Sequence, residues 1–369
     1  METVHTNKMF VFAVLAIAVV GSIFYLNSQK APRDSVGGKV DVKTTIGKDK
    51  KAARYPVAKE ITTPDGFINT DGKPITIGEF VGKKIVLLDI WTYSCINCQR
   101  TTPYLNAWYE KYKDKGLVII GLHTPEFEFE KVYQNVLEAT KRLGIKYPVV
   151  LDNDYSTWNA YQNRFWPRKY LIDIDGYIVY DHIGEGAYEE TEKKIQEALS
   201  ERMSVLGENG EIGQSVTKEV PIFGGSRSPE IYFGALRNQL FGNGPAGVAG
   251  NLKGLTVPVK INTNTLYLSG DWNIANEFSE NKSSQAKIVF RYQARDVYFV
   301  ASSVKGVKLK IMIDGKEVGR MVGEDVVGGI VTVKEDRLYK LIQDQSWGEH
   351  TLEIIIDSPG LKAYTFTFG

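Results

Sequence analysis

The sequence predicts an α/β domain with its sheet covered by helices on both faces, followed by an all-β sandwich of jelly-roll type and preceded by one transmembrane helix. Three observations carry this. Buried-strand and helical patterns alternate between about residues 57 and 205; helical periodicity then disappears while short strands recur to the end; and an uncharged apolar run of eighteen residues stands near the start. A chain of 369 residues is long for one core, and two folded domains with an anchor suit that length.

Residues 1–8 form a short tail, and MFVFAVLAIAVVGSIFYL (9–26) is just long enough to cross a bilayer as a helix. No small-residue cleavage site and no lipid-accepting cysteine follows it, so an uncleaved anchor is expected rather than a signal peptide. Lys8 alone precedes the run, whereas Lys30, Arg33, Lys39 and Lys43 follow it. Counted simply, the positive-inside rule would leave the large C-terminal part in the cytoplasm. Residues 27–56 are polar, basic and without period, and read as a flexible spacer.

Within 57–205, GFINTDGKPITI (66–77) reads as a hairpin with an Asp-Gly turn, and KKIVLLDIW (83–91) as a buried strand leading to a helix near Cys95. GLVIIGL (116–122) is a second buried strand, followed by a helix from about Glu128 to Leu143. YPVVLD (147–152) is a short strand and YSTWNAYQNRF (155–165) a short helix. KYLIDIDGYIVYDHIG (169–184) is a hairpin, and YEETEKKIQEALSERM (188–203) a closing amphipathic helix. Residues 206–225 carry the Gly and Ser of a domain linker. In 226–369 the expected strands are TLYLSGDW, AKIVFRYQA, DVYFVASS, KLKIMIDG, GIVTV, LYKLIQD, TLEIIID and AYTFTF. The glycine-rich GNGPAGVAG (242–250) lacks the Lys-Ser/Thr ending of a phosphate loop and reads as an ordinary loop.

The formal net charge of +1 offers no basic excess for nucleic acid. Only two cysteines occur, three residues apart, too few for a secreted disulfide scaffold. A structural zinc needs four ligands, and His5, His123, His182 and His350 lack paired spacing, so no metal is expected. The pair reads as redox chemistry. In LLDIWTYSCINCQRTTPYL (87–105), a CxxC between a buried strand and a helix puts the first sulfur at the helix N-terminus. Unpaired backbone N–H groups and the helix dipole favour a thiolate there. Cys95 is therefore the expected nucleophile, and Cys98, one turn inward, the thiol that resolves a mixed disulfide. No cofactor is needed beyond the Cys95–Cys98 disulfide itself.

At this motif the chain resembles the thioredoxin superfamily. That family carries a buried Asp six residues before the first Cys and a Trp four before, which fall on Asp89 and Trp91. Its helix proline, five residues past the second Cys, falls on Pro103; its cis-proline opposite the disulfide falls on Pro167 in FWPRKYLID. The resemblance implies that Asp89 relays protons to and from Cys98, and that Pro167 presents a backbone edge to a substrate chain. The longer segment between the cysteines and Pro167 is similar to the TlpA-like branch. GLHTPEFEFEK, WPRKYLID and SPEIYFG are similar to the soluble part of DipZ-type proteins, across roughly 57–369. Those proteins join a thioredoxin-like domain to a β-sandwich resembling carbohydrate-binding modules. The resemblance implies an extracytoplasmic catalytic domain on a single-pass anchor, against the charge count. It also implies exported protein disulfides as substrates and a membrane electron donor of the CcdA/DsbD type, because DipZ-type proteins carry a multi-span electron-transfer domain that this chain replaces with one span. Between the cysteines stand Ile96 and Asn97, without the His of strong oxidants, which leans toward a reductase or a moderate isomerase.

Further residues are candidates of a lesser kind. Trp91 and Trp166 flank the site and could dock substrates, or simply pack. His123 is either an extra proton carrier or a loop-bonded histidine, and Arg100 and Arg168 lie near the cysteines as thiolate-favouring or plain surface charges. In the second domain Tyr232, Trp272 and Trp347 could stack a sugar, or the domain could bind a partner protein. Two other readings stand beside the reductase. Thr92 precedes Cys95 as in the T-x-x-C of thiol peroxidases, although Leu88 replaces their proline; and the sandwich could make this a surface binding protein with an idle redox domain.

Overall fold

The computed structural model describes residues 48–218 and 227–369. The expected anchor at 9–26 lies outside the described residues, among which no helix is long and apolar enough to cross a membrane.

The strand segments IVLLDIW and LVIIGLH are almost wholly apolar, a composition that suits burial on both sheet faces. They form β2 (Ile85–Trp91) and β3 (Leu117–His123), buried at every position. Around them the chain runs α1 (Lys48–Ala52), β1 (Gly66–Ile68), then after β2 the helix α2 (Ile96–Tyr112). After β3 come α3 (Tyr133–Arg142), β4 (Val149–Leu151), α4 (Ser156–Ala160), β5 (Arg168–Ile172), β6 (Ile178–Ile183) and α5 (Tyr188–Leu206). The sheet order is β1-β4-β3-β2-β5-β6, with β2, β3 and β4 parallel and the other pairs antiparallel. One face packs Leu105 and Trp108 of α2, Val136 of α3 and Ile195 of α5. The other packs Trp158 of α4 with Ile61, Ile75 and Ile77.

Four expectations change. The segment 66–77 is not a hairpin: Gly66–Ile68 pairs instead with Val149–Leu151, and Pro74, lacking an N–H, is poorly suited to a returning ladder. The helix expected from Glu128 begins with a 3₁₀ turn at Glu128–Lys131 and becomes α-helical only at Tyr133. The helix expected over 155–165 is one turn, Ser156–Ala160. The end of the predicted spacer is part of the folded body. Lys51 is 2% exposed, and its Nζ reaches Asp173 at 2.6 Å, Glu201 at 2.7 Å and Asp175 at 2.9 Å. Burial alone would weaken that ammonium, but the hydrogen bonds it donates to Asp173, Glu201 and Asp175 outweigh it and hold Lys51 firmly protonated.

Beyond α5 the chain doubles back along the domain. Glu192 accepts the backbone N–H groups of Val216 at 2.9 Å and Thr217 at 2.8 Å, and the hydroxyls of Ser215 and Tyr112. Although burial pushes the other way, these donors lower the Glu192 pKa to about 2.

The C-terminal domain contains strands β7 (Ile231–Tyr232), β8 (Gly250–Leu255), β9 (Leu266–Ile274), β10 (Ser279–Asn281) and β11 (Ala286–Ser302). They are followed by β12 (Val307–Ile313), β13 (Lys316–Glu317), β14 (Ile330–Val333), β15 (Arg337–Ile356) and β16 (Lys362–Phe368). All belong to one antiparallel hydrogen-bonded network rather than two separate sheets. The four strands expected at AKIVFRYQA, DVYFVASS, LYKLIQD and TLEIIID are fused in pairs as β11 and β15. Bulges at Ala294/Asp296 and Val297/Tyr298 bend the ladder without ending it. The described residues from Lys50 onward belong to one compact unit. Tyr298, Val300, Leu338 and Tyr364 of the β domain join the apolar cluster beneath α2 and α3.

The Lys51 clasp is testable. Lys51→Met removes the buried cation shared by Asp173, Asp175 and Glu201, and removing one partner of a buried ion group costs about 3–5 kcal/mol. Urea unfolding of the full chain at pH 7 should show that loss; an unchanged midpoint would mean the clasp contributes nothing.

Candidate active site

The turn after β2 delivers Cys95 to the N-cap of α2 in an extended conformation, φ −78° and ψ 120°. Its Sγ accepts the Cys98 N–H at 3.3 Å, so a sulfur occupies the place an N-cap oxygen usually takes. Cys98 sits one turn in and is buried, whereas Cys95 is half-buried at the surface. Across from it the Trp166–Pro167 peptide bond is cis, and the Trp166 carbonyl lies 3.9 Å from Cys95 Sγ. Pro103 lies inside α2.

Behind the sulfurs the site is buried and charged. Asp89 and Lys169 are register partners on β2 and β5, 2% and 0% exposed. Burial pushes the Asp89 carboxyl up to about 6, with the Lys169 charge pulling the other way. Burial likewise lowers the Lys169 ammonium, opposed by the charges of Asp89, Cys98 and Glu185, and Lys169 Nζ donates to the Gly184 carbonyl at 3.1 Å. Burial raises the Cys98 thiol well above its ordinary range, and the hydrogen bond and charge of Cys95 add to this. A thiol so placed needs a base to ionise, and Asp89 titrates in the range that can serve one.

A second buried carboxylate shapes the loop. Glu130 accepts the N–H of Ser94 at 3.1 Å on one oxygen, and those of Glu126 at 2.6 Å and Phe127 at 3.1 Å on the other. It thereby ties the CxxC turn to the HTPEFEFEK segment. Neither Lys169 nor Glu130 was singled out from the sequence. The signal for Lys169 was strand alternation, which sets it on the face of fully buried Leu171.

Several candidates fall elsewhere. Trp91 is 2% exposed, edge-on to His123 with ring centroids 5.2 Å apart, so it packs and does not dock substrate. Gly121 is pressed so close that a Cβ there would meet the Trp91 indole at 2.9 Å. His123 is fully buried and its pKa falls to about 3, so it stays neutral at physiological pH and is unsuited to carrying protons. Arg168 pairs with Asp181 at 2.6 Å, and Arg100 with Glu185 at 2.9 Å and the Tyr298 hydroxyl at 3.3 Å. Trp272 is core, whereas Trp347 is partly exposed under Arg227. Trp166 and Tyr232 both line the opening at Cys95, a cleft of about 430 Å³ with walls from both domains.

A dithiol at a helix N-terminus, faced by a cis-proline and backed by a buried aspartate, defines a protein of the thioredoxin-like class. The comparisons agree. The Redoxin profile matches residues 51–199, and the profile described as a thioredoxin like C-terminal domain matches 228–369. Protein DipZ of Mycobacterium bovis is 37% identical over 321 residues, covering 84% of this chain and 43% of that protein. The chain thus spans less than half the length of DipZ. Thiol-disulfide oxidoreductase ResA of Bacillus cereus is 36% identical over 132 residues, covering 35% of this chain and 73% of that protein. The chain belongs to the thioredoxin-like thiol–disulfide oxidoreductases of the TlpA/DipZ type.

The buried Asp89 has a measurable cost. A carboxyl raised from about 3.9 unfolded to about 6 folded binds its proton more tightly in the native state. Its ionisation therefore removes stability as pH rises from about 4 to about 6, and the loss persists above. Asp89→Asn should be more stable than the parent by about 1–3 kcal/mol at pH 8, with the gap closing near pH 4. Denaturant curves at both pH values check this, and an equal gap at both would refute it.

Proposed function

We propose that this protein is a membrane-anchored, extracytoplasmic disulfide reductase that passes two electrons from Cys95 and Cys98 to protein disulfides. The observation that carries the reading is the juxtaposition of half-buried Cys95 Sγ, the Cys98 amide at 3.3 Å and the Trp166 carbonyl at 3.9 Å, with Asp89 buried behind. The Cys95 thiolate attacks one sulfur of the substrate disulfide. That S–S bond breaks, a mixed disulfide forms, and the other substrate sulfur leaves as a thiolate that takes up a proton. Cys98 gives its proton to Asp89 and attacks Cys95 Sγ; the mixed bond breaks, and the second substrate sulfur leaves as a thiolate that takes the proton from Asp89. The substrate has gained two electrons and two protons, and the protein is left with the Cys95–Cys98 disulfide. A thiol donor must restore the dithiol, and we assign that role to a membrane electron donor of the CcdA/DsbD type. The anchor at 9–26 and the extracytoplasmic placement rest on the apolar run and on the relationship to DipZ. Carbohydrate binding by the β domain receives little support, since Trp272 is buried and Tyr232 belongs to the cleft.

The full chain, equilibrated in graded thiol/disulfide buffers and read by alkylation and mass shift, should give a midpoint near about −270 mV; a midpoint near about −120 mV would make it a disulfide donor instead. In the same assay Cys98→Ser should accumulate a mixed disulfide on Cys95, and failure to trap one would remove Cys95 as nucleophile.

Lys169→Met removes the cation that restrains Asp89. The pH dependence of the Cys98 step, followed by single-turnover release of substrate thiol, should move about one unit higher. A profile that stays in place would confine Lys169 to packing.

A further inference from the structure

The β domain carries a cluster of polar side chains that thiol chemistry leaves unused, and none of them lines the Cys95 cleft. It forms where the ladder between β11 and β15 is interrupted. Ala294 pairs with Gly348 and Asp296 with Gln343, so Arg295 alone stands opposite residues 344–347. Such an irregularity re-aims side chains that a regular ladder would hold apart. Here it brings Asp344 Oδ2 to 3.8 Å from His350 Nε2, too far for a hydrogen bond. The other ring nitrogen, Nδ1, lies 2.8 Å from Asp314 Oδ2. Asp314 is itself fixed, because its Oδ1 accepts the Thr351 N–H at 2.8 Å. Asp344 Oδ1 accepts the Gln345 N–H at 2.6 Å, which leaves Oδ2 to face the histidine.

A histidine bridging two aspartates as an ion pair would account for these contacts alone. Two further features point to a ligand. Tyr292 is the register partner of His350, with ring centroids 6.0 Å apart; it is wholly buried, yet its hydroxyl has no hydrogen-bond partner among the described residues. Burial and the charges of Asp314, Asp344 and Asp296 push its pKa up, so the hydroxyl is a neutral donor beside carboxylates it does not bond. Gly348 is the second feature. A Cβ there would stand 2.6 Å from His350 Nε2, so the glycine keeps the approach to that nitrogen open.

We propose that His350 Nε2 and Asp344 Oδ2 bind a divalent transition-metal ion, zinc or copper(II), with Asp314 positioning the histidine and the Tyr292 hydroxyl holding a water on the metal. An Nδ1–H donated to a carboxylate, with Nε2 left for the ion, is the usual outer support of a metal-bound histidine. Tetrahedral zinc, with bonds of about 2.0–2.2 Å, sets neighbouring ligand atoms about 3.4 Å apart. The observed 3.8 Å therefore has to close by only about half an ångström. An imidazole ligand suits zinc and copper, whereas calcium and magnesium seek oxygen alone. Two protein ligands leave open positions, so the ion is exchangeable rather than a structural clamp. Only one histidine takes part, and Asp314 lies 36 residues away in sequence, so no paired spacing marks the site.

The test uses the full chain with Cys95 and Cys98 oxidised to their disulfide, so that no thiolate competes for the metal. Titration calorimetry with zinc chloride should show one equivalent bound, which calcium and magnesium chloride at the same concentrations do not give. His350→Gln and Asp344→Asn should each weaken zinc binding tenfold or more, and Asp314→Asn about tenfold, as loss of an outer support does. Tyr292→Phe, which removes one hydrogen bond to a bound water, should cost about threefold. His5→Ala and His182→Ala should leave the equivalent in place. Loaded instead with copper(II), the protein should show electron paramagnetic resonance splitting from a single imidazole nitrogen. Near-ultraviolet circular dichroism verifies that each variant is folded. Zinc binding that survives His350→Gln would overturn the proposal, as would a folded parent that binds no zinc or binds calcium equally well. Full affinity in Asp314→Asn or Tyr292→Phe would overturn the role given to that residue. The thiol chemistry at Cys95 stands or falls separately, since neither ligand belongs to it.

Discussion

The antiparallel register of β2 on β5 is the constraint from which the site follows. Pairing Asp89 with Lys169 and Ile90 with Arg168 sets Pro167 level with Trp91 at the end of β2, where the chain turns to place Cys95 on α2. A slip of one residue would turn Asp89 and Lys169 to opposite faces and carry Pro167 away from the sulfurs. The strands are buried on both faces, so such a slip would also drive apolar side chains out of a filled core. The same packing that stabilises the sheet therefore fixes the geometry of the dithiol.

That packing also creates the chemistry. Burying a carboxylate and an ammonium together is weak support for folding, and neither Asp89 nor Lys169 is compensated as well as Glu192 is by its hydroxyl and backbone donors. Glu192, held by four donors, has its pKa pulled down; Asp89, buried without such donors, has its pKa pushed up. The contrast between two carboxylates of one domain separates an acid that holds the fold from one whose burial costs stability.

Much of this was legible in the sequence. The buried β2 and β3 runs, the closing hairpin and the CxxC between strand and helix stand out because each is a local pattern with its own period. What escaped reading was non-local. Gly66–Ile68 pairs with β4 rather than with its own neighbour, and nothing in GFI names that partner. The fused strands β11 and β15 bend at bulges, which carry no turn residue to mark them as continuous or broken. Lys51, in a basic stretch typical of a spacer, is buried only because Asp173, Asp175 and Glu201 arrive from two distant elements. Trp91 stands beside the site in sequence, yet strand alternation and the close approach of Gly121 turn it inward. The wall opposite Cys95 unites residues more than a hundred positions apart, beyond the reach of any motif.

The clasp at Lys51 has a mechanical consequence. Asp173 and Asp175 lie past the C-terminal end of β5, and β5 runs antiparallel to β2, so the clasp and the cysteines occupy opposite poles of one sheet. The chain thus enters the folded body at the pole remote from the thiols. Tension arriving along residues before Lys51 would be borne by three carboxylates gripping one ammonium, and α2 would carry none of it.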